Sequence, residues 1–160
     1  VIKAMLLVDK RFHLYFVGDG ETRPYCEKLV RELDIEDRVH FLGARLDIPQ
    51  IIGDSFLGIQ SSHWEGFGLS AIEIMACGIP VIASDTDGLK QVIEGAGAIF
   101  KTGDAADLAS KIQQLATDSS LYSKISKACL VRSKEYSIEE TARKCRKIYN
   151  NILSVATLQK

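Results

Sequence analysis

Apolar residues fall along this chain in two rhythms. Short unbroken apolar runs alternate with longer stretches in which apolar residues recur every three or four positions. The runs at 13–17, 39–42, 56–60, 80–83 and 98–100 predict strands. The helical rhythm predicts an opening helix over 1–8 and further helices over 25–33, 48–52, 69–76, 89–94, 105–117, 121–136 and 137–158. Asp104 and Ser137 stand where N-caps belong, and Ser137-Ile138-Glu139-Glu140 has the pattern of a capping box.

Strand and helix in repeated alternation predict an α/β fold, a Rossmann-like doubly wound parallel sheet. Strands that are apolar throughout are expected to be covered on both faces. Ligands of such sheets bind outside the carboxyl ends of the strands. Attention therefore falls on Gly18-Asp19-Gly20, on Gly43-Ala44-Arg45, and on residues 61–68 and 84–88. A domain of this type normally opens on a strand, so a first strand and its loop are expected to be missing. The start on Val1, with no initiator Met, predicts a trimmed product or a piece of a longer protein.

Composition changes this picture little. The 160 residues suffice for one domain with a sizeable core, and 46% hydrophobic with 26% charged residues is ordinary for a globular protein. No apolar stretch reaches the ~20 residues that span a bilayer. The start lacks the form of a signal peptide, so a cytoplasmic protein is expected. Cys26, Cys77, Cys129 and Cys145 form no C-x-x-C pair and read as reduced thiols. Charge is uneven: residues 119–160 hold nine basic and three acidic side chains. They interleave with Ile125, Ala128, Ile148 and Ile152 at helical spacing, which reads as the solvated face of amphipathic helices and not as a nucleic-acid surface.

The chemistry concentrates in His63-Trp64-Glu65-Gly66-Phe67-Gly68-Leu69-Ser70-Ala71-Ile72-Glu73. Glycines let a ligand approach the backbone. The helix that follows offers unpaired N–H groups and the positive end of its dipole, a combination suited to phosphate. Glu73 lies within ~1.5 turns of the helix start. Its apolar neighbours predict a partly shielded carboxylate, and two acceptor oxygens suit a vicinal diol such as that of ribose. Glu65 could accept from hexose hydroxyls. An alternative stays open: Ser70-Ala71-Ile72-Glu73 is also a capping-box pattern, and Glu65 could be a plain loop acid.

The stretch EGFGLSAIEIMACGIPVIAS, with Glu65 and Glu73 eight positions apart, resembles the signature of the retaining group 1 glycosyltransferases (family 4). LYFVGDG, RVHFLG, PVIASD and TGDAADLASKI fall in the same order as in that family. The resemblance implies the C-terminal, donor-binding half of a glycosyltransferase-B fold, spanning 1–160 with helices over 119–160, and with the N-terminal acceptor domain absent. It implies Glu73 as ribose ligand and Glu65 as the catalytic-centre partner of donor-sugar hydroxyls. It further implies backbone contacts to sugar and diphosphate from Gly66, Phe67, Gly68 and Leu69, with Gly18, Gly43 and Arg45 beside the nucleotide. The family's diphosphate-holding Arg and Lys would lie upstream of Val1. Asp85-Thr86-Asp87-Gly88 and Lys90 depart from its Gly-Gly and Pro.

Other constellations are weaker. Asp85-x-Asp87 could ligate magnesium or manganese, but no third ligand accompanies it, and a strand-to-helix turn also favours Asp. Gly18-Asp19-Gly20 lacks the third glycine of a dinucleotide fingerprint. His13, His40 and His63 are separated in sequence and show no metal spacing, so no metal or other cofactor is expected. The substrate class implied is a UDP- or GDP-sugar. The acceptor is a sugar, lipid or other hydroxyl, reached by a cytoplasmic protein with peripheral membrane contact. This chain alone is expected to be inactive. The alternatives are a non-catalytic nucleotide-sugar-binding module, or a nucleotide-sugar epimerase or phosphorylase of the same fold.

Overall fold

The computed structural model describes residues 1–158. Five strands alternate with seven α-helices: β1 (Leu14–Val17), α1 (Arg23–Glu32), β2 (Val39–Gly43), α2 (Ile48–Gly53), β3 (Gly58–Gln60), α3 (Leu69–Ala76), β4 (Val81–Ser84), α4 (Asp87–Ile93), β5 (Ala98–Phe100), α5 (Ala105–Thr117), α6 (Ser119–Ser133) and α7 (Ile138–Leu158). Every pairing between these strands is parallel.

The opening segment is a 3-10 helix, Ile2–Leu6, and not the α-helix expected over 1–8. Ile2, Met5 and Val8 are all buried and recur every three residues, the period of the 3-10 turn. The Ala4 and Leu7 N–H groups accordingly donate to the carbonyls three residues back, at 2.8 and 2.9 Å.

The strands do not form the single sheet expected. β1 pairs with β2, and β3, β4 and β5 form a second sheet in that order. Among the described residues no ladder joins β1 to β3. Apolar runs identify strands but say nothing of which strands are neighbours, so this separation has no counterpart in the sequence pattern.

Burial is two-sided only at β4, whose four residues are all buried. Ile82 packs with Phe100, Leu108, Ile112 and the opening 3-10 helix. Val81 and Ala83 face the other way, onto α3, α4 and Cys129 of α6. Alternate residues of one strand thus serve two core layers. A fully buried residue the size of Ile82 contributes about 1.5–3 kcal/mol relative to leaving it exposed. In β1 the expected two-sided cover fails: Tyr15 and Val17 are exposed.

Asp104 and Ser137 cap their helices as expected, Asp118 caps α6 without having been foreseen, and the expected capping box does not close. The Asp104 carboxylate accepts from the N–H groups of Ala106 and Asp107, both at 3.0 Å, and Asp118 does the same for Leu121 at 2.8 Å. Ser137 accepts from the Glu140 N–H at 3.1 Å, but Glu140 does not reach back. Its carboxylate turns instead to Arg143, at 2.6 and 2.7 Å, because a charge-assisted pair outcompetes a bond to a neutral N–H. All four cysteines are free thiols. No helix among the described residues is long and apolar enough to cross a membrane.

Candidate functional site

The segment after β3 is held from beneath by a buried serine. Ser84, at the end of β4, donates its hydroxyl to the Ser62 carbonyl at 2.6 Å, with the Gln60 carbonyl at 3.5 Å. A relay then runs up the loop. Gln60 Nε2 donates to Ser62 Oγ at 3.1 Å, and Ser62 Oγ donates to Glu65 at 3.4 Å. The Phe67 N–H also points at the Glu65 carboxylate, at 3.4 Å. These last two bonds are long for their type, so the half-buried carboxylate keeps most of its accepting capacity for a ligand hydroxyl.

Gly68 ends the loop and is the N-cap of α3, with φ +85°. An L side chain there would be strained, and glycine adopts this backbone freely. The helix therefore opens at Leu69, and its first N–H groups lack intrahelical partners. Ser70 falls inside the helix, which removes the capping-box reading of Ser70 and Glu73. Glu73 is also exposed, against the expected shielding: Ala71, Ile74 and Met75 take the buried face, and position 73 lies off it. No donor among the described residues reaches its carboxylate. Trp64 and Leu69 stand 87% and 66% exposed beside it on the same loop and helix start.

One glycine, one tyrosine and one arginine support this loop from behind. A Cβ built on Gly88 in the first turn of α4 would run into the Glu65 carbonyl, so α4 and the loop touch backbone to backbone. Phe67 packs edge-on against Tyr136, with ring centroids 5.6 Å apart at 80°. Tyr136 Oη donates to the Gln91 carbonyl at 3.3 Å. Arg132 donates to the carbonyls of Val92 and Gln91 at 3.0 and 2.5 Å and lies over the Tyr136 ring. Cations at a helix C-terminus oppose its negative end, so Arg132 pins α4 in place. Tyr136 and Arg132 carry no motif, and sequence reading passed over them; Ser62 and Ser84 lie in the strand-end segments singled out above, but no role for either was read from sequence.

The remaining predicted residues lie at the ends of β1 and β2. Gly18 donates its N–H to the Gly43 carbonyl at 2.8 Å, joining the two turns. Arg45 follows on the surface and is already engaged: it grips Asp47 in two bonds, at 2.8 and 2.6 Å. Those bonds raise the guanidinium pKa and hold Asp47 below the usual carboxylate range. The structure thus assembles Glu65, Gly66, Phe67, Gly68, Leu69 and Glu73 on one loop and helix start. It joins Gly18 to Gly43, and it leaves Arg45 to its own ion pair.

The histidines and the Asp-x-Asp also resolve. The β1–β2 register brings His13 beside His40, Nδ1 to Nε2 at 3.0 Å, although 27 residues separate them. Asp85 accepts from the Thr102 hydroxyl at 2.5 Å and the Thr102 N–H at 2.8 Å, tying the end of β4 to the turn after β5. Among the described residues no group of three or more His, Cys, Asp or Glu is placed to hold a metal ion. The Thr102 hydroxyl first, and its N–H second, keep the Asp85 pKa below the usual range. A depressed carboxylate pKa contributes stability that is present above about pH 4 and lost as pH falls through the folded value. Asp85→Asn should therefore flatten the loss of stability below about pH 4 in urea melts. Equal acid slopes for variant and wild type would show that the Thr102 contact is not what sets them.

Comparison with known proteins places this geometry. The family model described as glycosyl transferases group 1 matches residues 1–129. The N,N'-diacetylbacillosaminyl-diphospho-undecaprenol alpha-1,3-N-acetylgalactosaminyltransferase of Campylobacter jejuni is 32% identical over 152 residues, 94% of this chain and 40% of that protein. The crystal structure of Anabaena Alr3699/HepE in complex with UDP superposes with a TM-score of 0.87 at 26% identity, over 94% of this chain and 44% of that one. The C-terminal domain of a group 1 family protein, LpcC from Francisella tularensis, shares the fold with a TM-score of 0.74 at 24% identity, over 86% and 77% of the two chains. The chain spans about two-fifths of the length of the first two of these relatives. Its Rossmann-like architecture is that of the C-terminal half of a glycosyltransferase-B fold. A match that runs from the first residue through the Glu65–Glu73 loop and on into α6 makes this chain a member of the group 1 glycosyl transferases.

Proposed function

We propose that this chain is the donor-binding domain of a retaining glycosyltransferase. The longer protein would move a hexose from a UDP- or GDP-sugar to an acceptor hydroxyl on a sugar or lipid. The observation that carries this reading is the pairing of Glu65, met only by two long internal bonds, with the α3 N-terminus and an unpartnered Glu73 on one loop and helix start. Glu73 accepts from the ribose diol, and Glu65 from hydroxyls of the donor sugar near the reacting carbon. Backbone N–H groups from Gly66 to Leu69 meet sugar and diphosphate, while Gly18 and Gly43 border the base. Arg45 reaches the nucleotide only by releasing Asp47. UDP in the Anabaena structure supports a uridine donor. Charge on the leaving diphosphate is met by helix N–H groups and by cations from outside this chain, without a metal. A lipid-linked acceptor, as named for the Campylobacter relative, would bring a cytoplasmic protein to the membrane surface.

The test is calorimetry of the longer protein with UDP-glucose and GDP-mannose, with and without EDTA. One of the two should bind, with the same affinity in both buffers. Binding of neither would end the donor-domain reading. A large loss in EDTA, repeated by Asp85→Asn, would restore a metal to the site.

A further inference from the structure

Arg23 opens α1 and stands at the wrong end of it. A cation in the first turn of a helix meets the positive end of the dipole. Two carboxylates offset this cost, unequally. Glu27, one turn along the same helix, accepts from Nε at 2.8 Å. Asp19 lies 3.4 Å from Nη1, well beyond the about 2.7–2.9 Å of a strong charge-assisted bond. Glu27 therefore fixes the guanidinium, the contact to Asp19 is loose, and Nη2 donates to nothing among the described residues.

The fork held in this way lies over the joined turns after β1 and β2. Gly43 sits at φ +68°, and Arg23 Nη1 is 3.6 Å from the place its Cβ would take. The guanidinium is also 5.9 Å from the centre of the Phe41 ring, two residues earlier in β2. Asp19 directly follows Gly18, whose N–H holds the Gly43 carbonyl. A charged donor and a charged acceptor thus stand side by side, each with spare capacity, at the turns that border the base of the proposed donor. Arg45, by contrast, is closed onto Asp47 by two short bonds.

We infer that the Asp19–Arg23 pair selects the base of the donor: it takes a ring edge that sets a carbonyl oxygen beside a ring N–H, as in uracil and guanine, and rejects cytosine and adenine. The inference rests on the donor-domain reading and deepens it by naming side chains that choose the nucleotide. Arginine only donates, and an ionised aspartate only accepts. Uracil offers O4 beside N3–H, and guanine O6 beside N1–H, each the complement of that pair. Cytosine and adenine offer an amine beside an unprotonated ring nitrogen. With the ribose held at Glu73 the edge arrives in one direction, so the amine would meet the guanidinium and the ring nitrogen the carboxylate. Donor then faces donor and acceptor faces acceptor, and all four groups lose their partners.

Calorimetry of the longer protein with UDP, CDP, GDP and ADP tests it. Within the ring size the protein accepts, the carbonyl-bearing base should bind at least about tenfold more tightly than the amino base, within what a matched bidentate contact discriminates. Arg23→Ala should bring that ratio to within about twofold of one, and so should Arg23→Lys, which keeps the charge but loses the planar fork. Neither should weaken binding of ribose 5-diphosphate, which has no base. Lys28→Ala removes an exposed cation of the same helix, paired with Glu32, and should leave the ratio unchanged. A ratio that survives both arginine substitutions would overturn the inference. So would an equal loss with ribose 5-diphosphate, which would assign Arg23 to the phosphates. A wild-type protein that binds none of the four fails the donor-domain reading itself, whereas UDP or GDP binding with no preference over CDP or ADP fails this inference alone.

Discussion

Gly88→Ala is expected to weaken nucleotide-sugar binding by about a hundredfold and to lower Tm by about 5 °C. The added methyl group has nowhere to go, since the atom it meets is the Glu65 carbonyl, part of a backbone and not the end of a flexible side chain. Overpacking of this kind costs roughly 1–3 kcal/mol, and a domain of this size shifts by about 2–4 °C per kcal/mol. Relief requires the loop to move away from α4. Displacing a positioned group by ~1 Å costs on the order of a hundredfold in function. The same loop carries the Glu65 carboxylate and leads into the α3 N-terminus, so both contacts move together. Gly53→Ala is the control, because no atom lies within 4 Å of its Cβ position. A Gly88→Ala protein that loses Tm yet keeps full affinity would separate the loop from the ligand.

Glu73→Gln should reduce UDP affinity roughly 10- to 150-fold, the worth of hydrogen bonds to an ionised acceptor. Its effect on Tm should be negligible. The carboxylate is exposed and has no donor among the described residues, so the charge stabilises nothing in the free protein. A 2′,3′-dideoxy nucleotide removes the diol from the other side of the contact. Wild type and variant should bind that analogue with similar, weak affinity. If the dideoxy analogue distinguishes them as sharply as UDP does, Glu73 acts elsewhere on the nucleotide. If the variant melts early while UDP binding holds, its role is in the helix.

Most of the elements were legible because each rests on a local rule. β4 reads as an apolar run because both of its faces are buried, and α5 begins at Asp104 because a carboxylate there satisfies two orphan N–H groups. The features that escaped are those set by partners distant in sequence. Three-residue spacing of Ile2, Met5 and Val8 looks like a helical face, and only the packing against α5 and α1 distinguishes a 3-10 turn. Ser70 has the right chemistry for an N-cap, but the backbone turns two residues earlier, at Gly68. Gly88 reads as a turn glycine, and nothing nearby in the sequence says that it lies against Glu65, 23 positions earlier. Arg132 supports the loop through α4, and Tyr136 both through α4 and by its ring against Phe67, contacts that no motif encodes. The exposed Tyr15 and Val17 contradict the two-sided cover that an apolar run suggests.

Trp64 gives the loop an optical identity. It is the sole tryptophan of the chain, it adjoins Glu65, and 87% of it is open to solvent. Indole emission from these 160 residues is therefore emission from one turn of backbone, at the place where a donor would arrive. Polarity, quenching and anisotropy measured there describe that turn alone, without a label, a cysteine substitution or any correction for signal from the core.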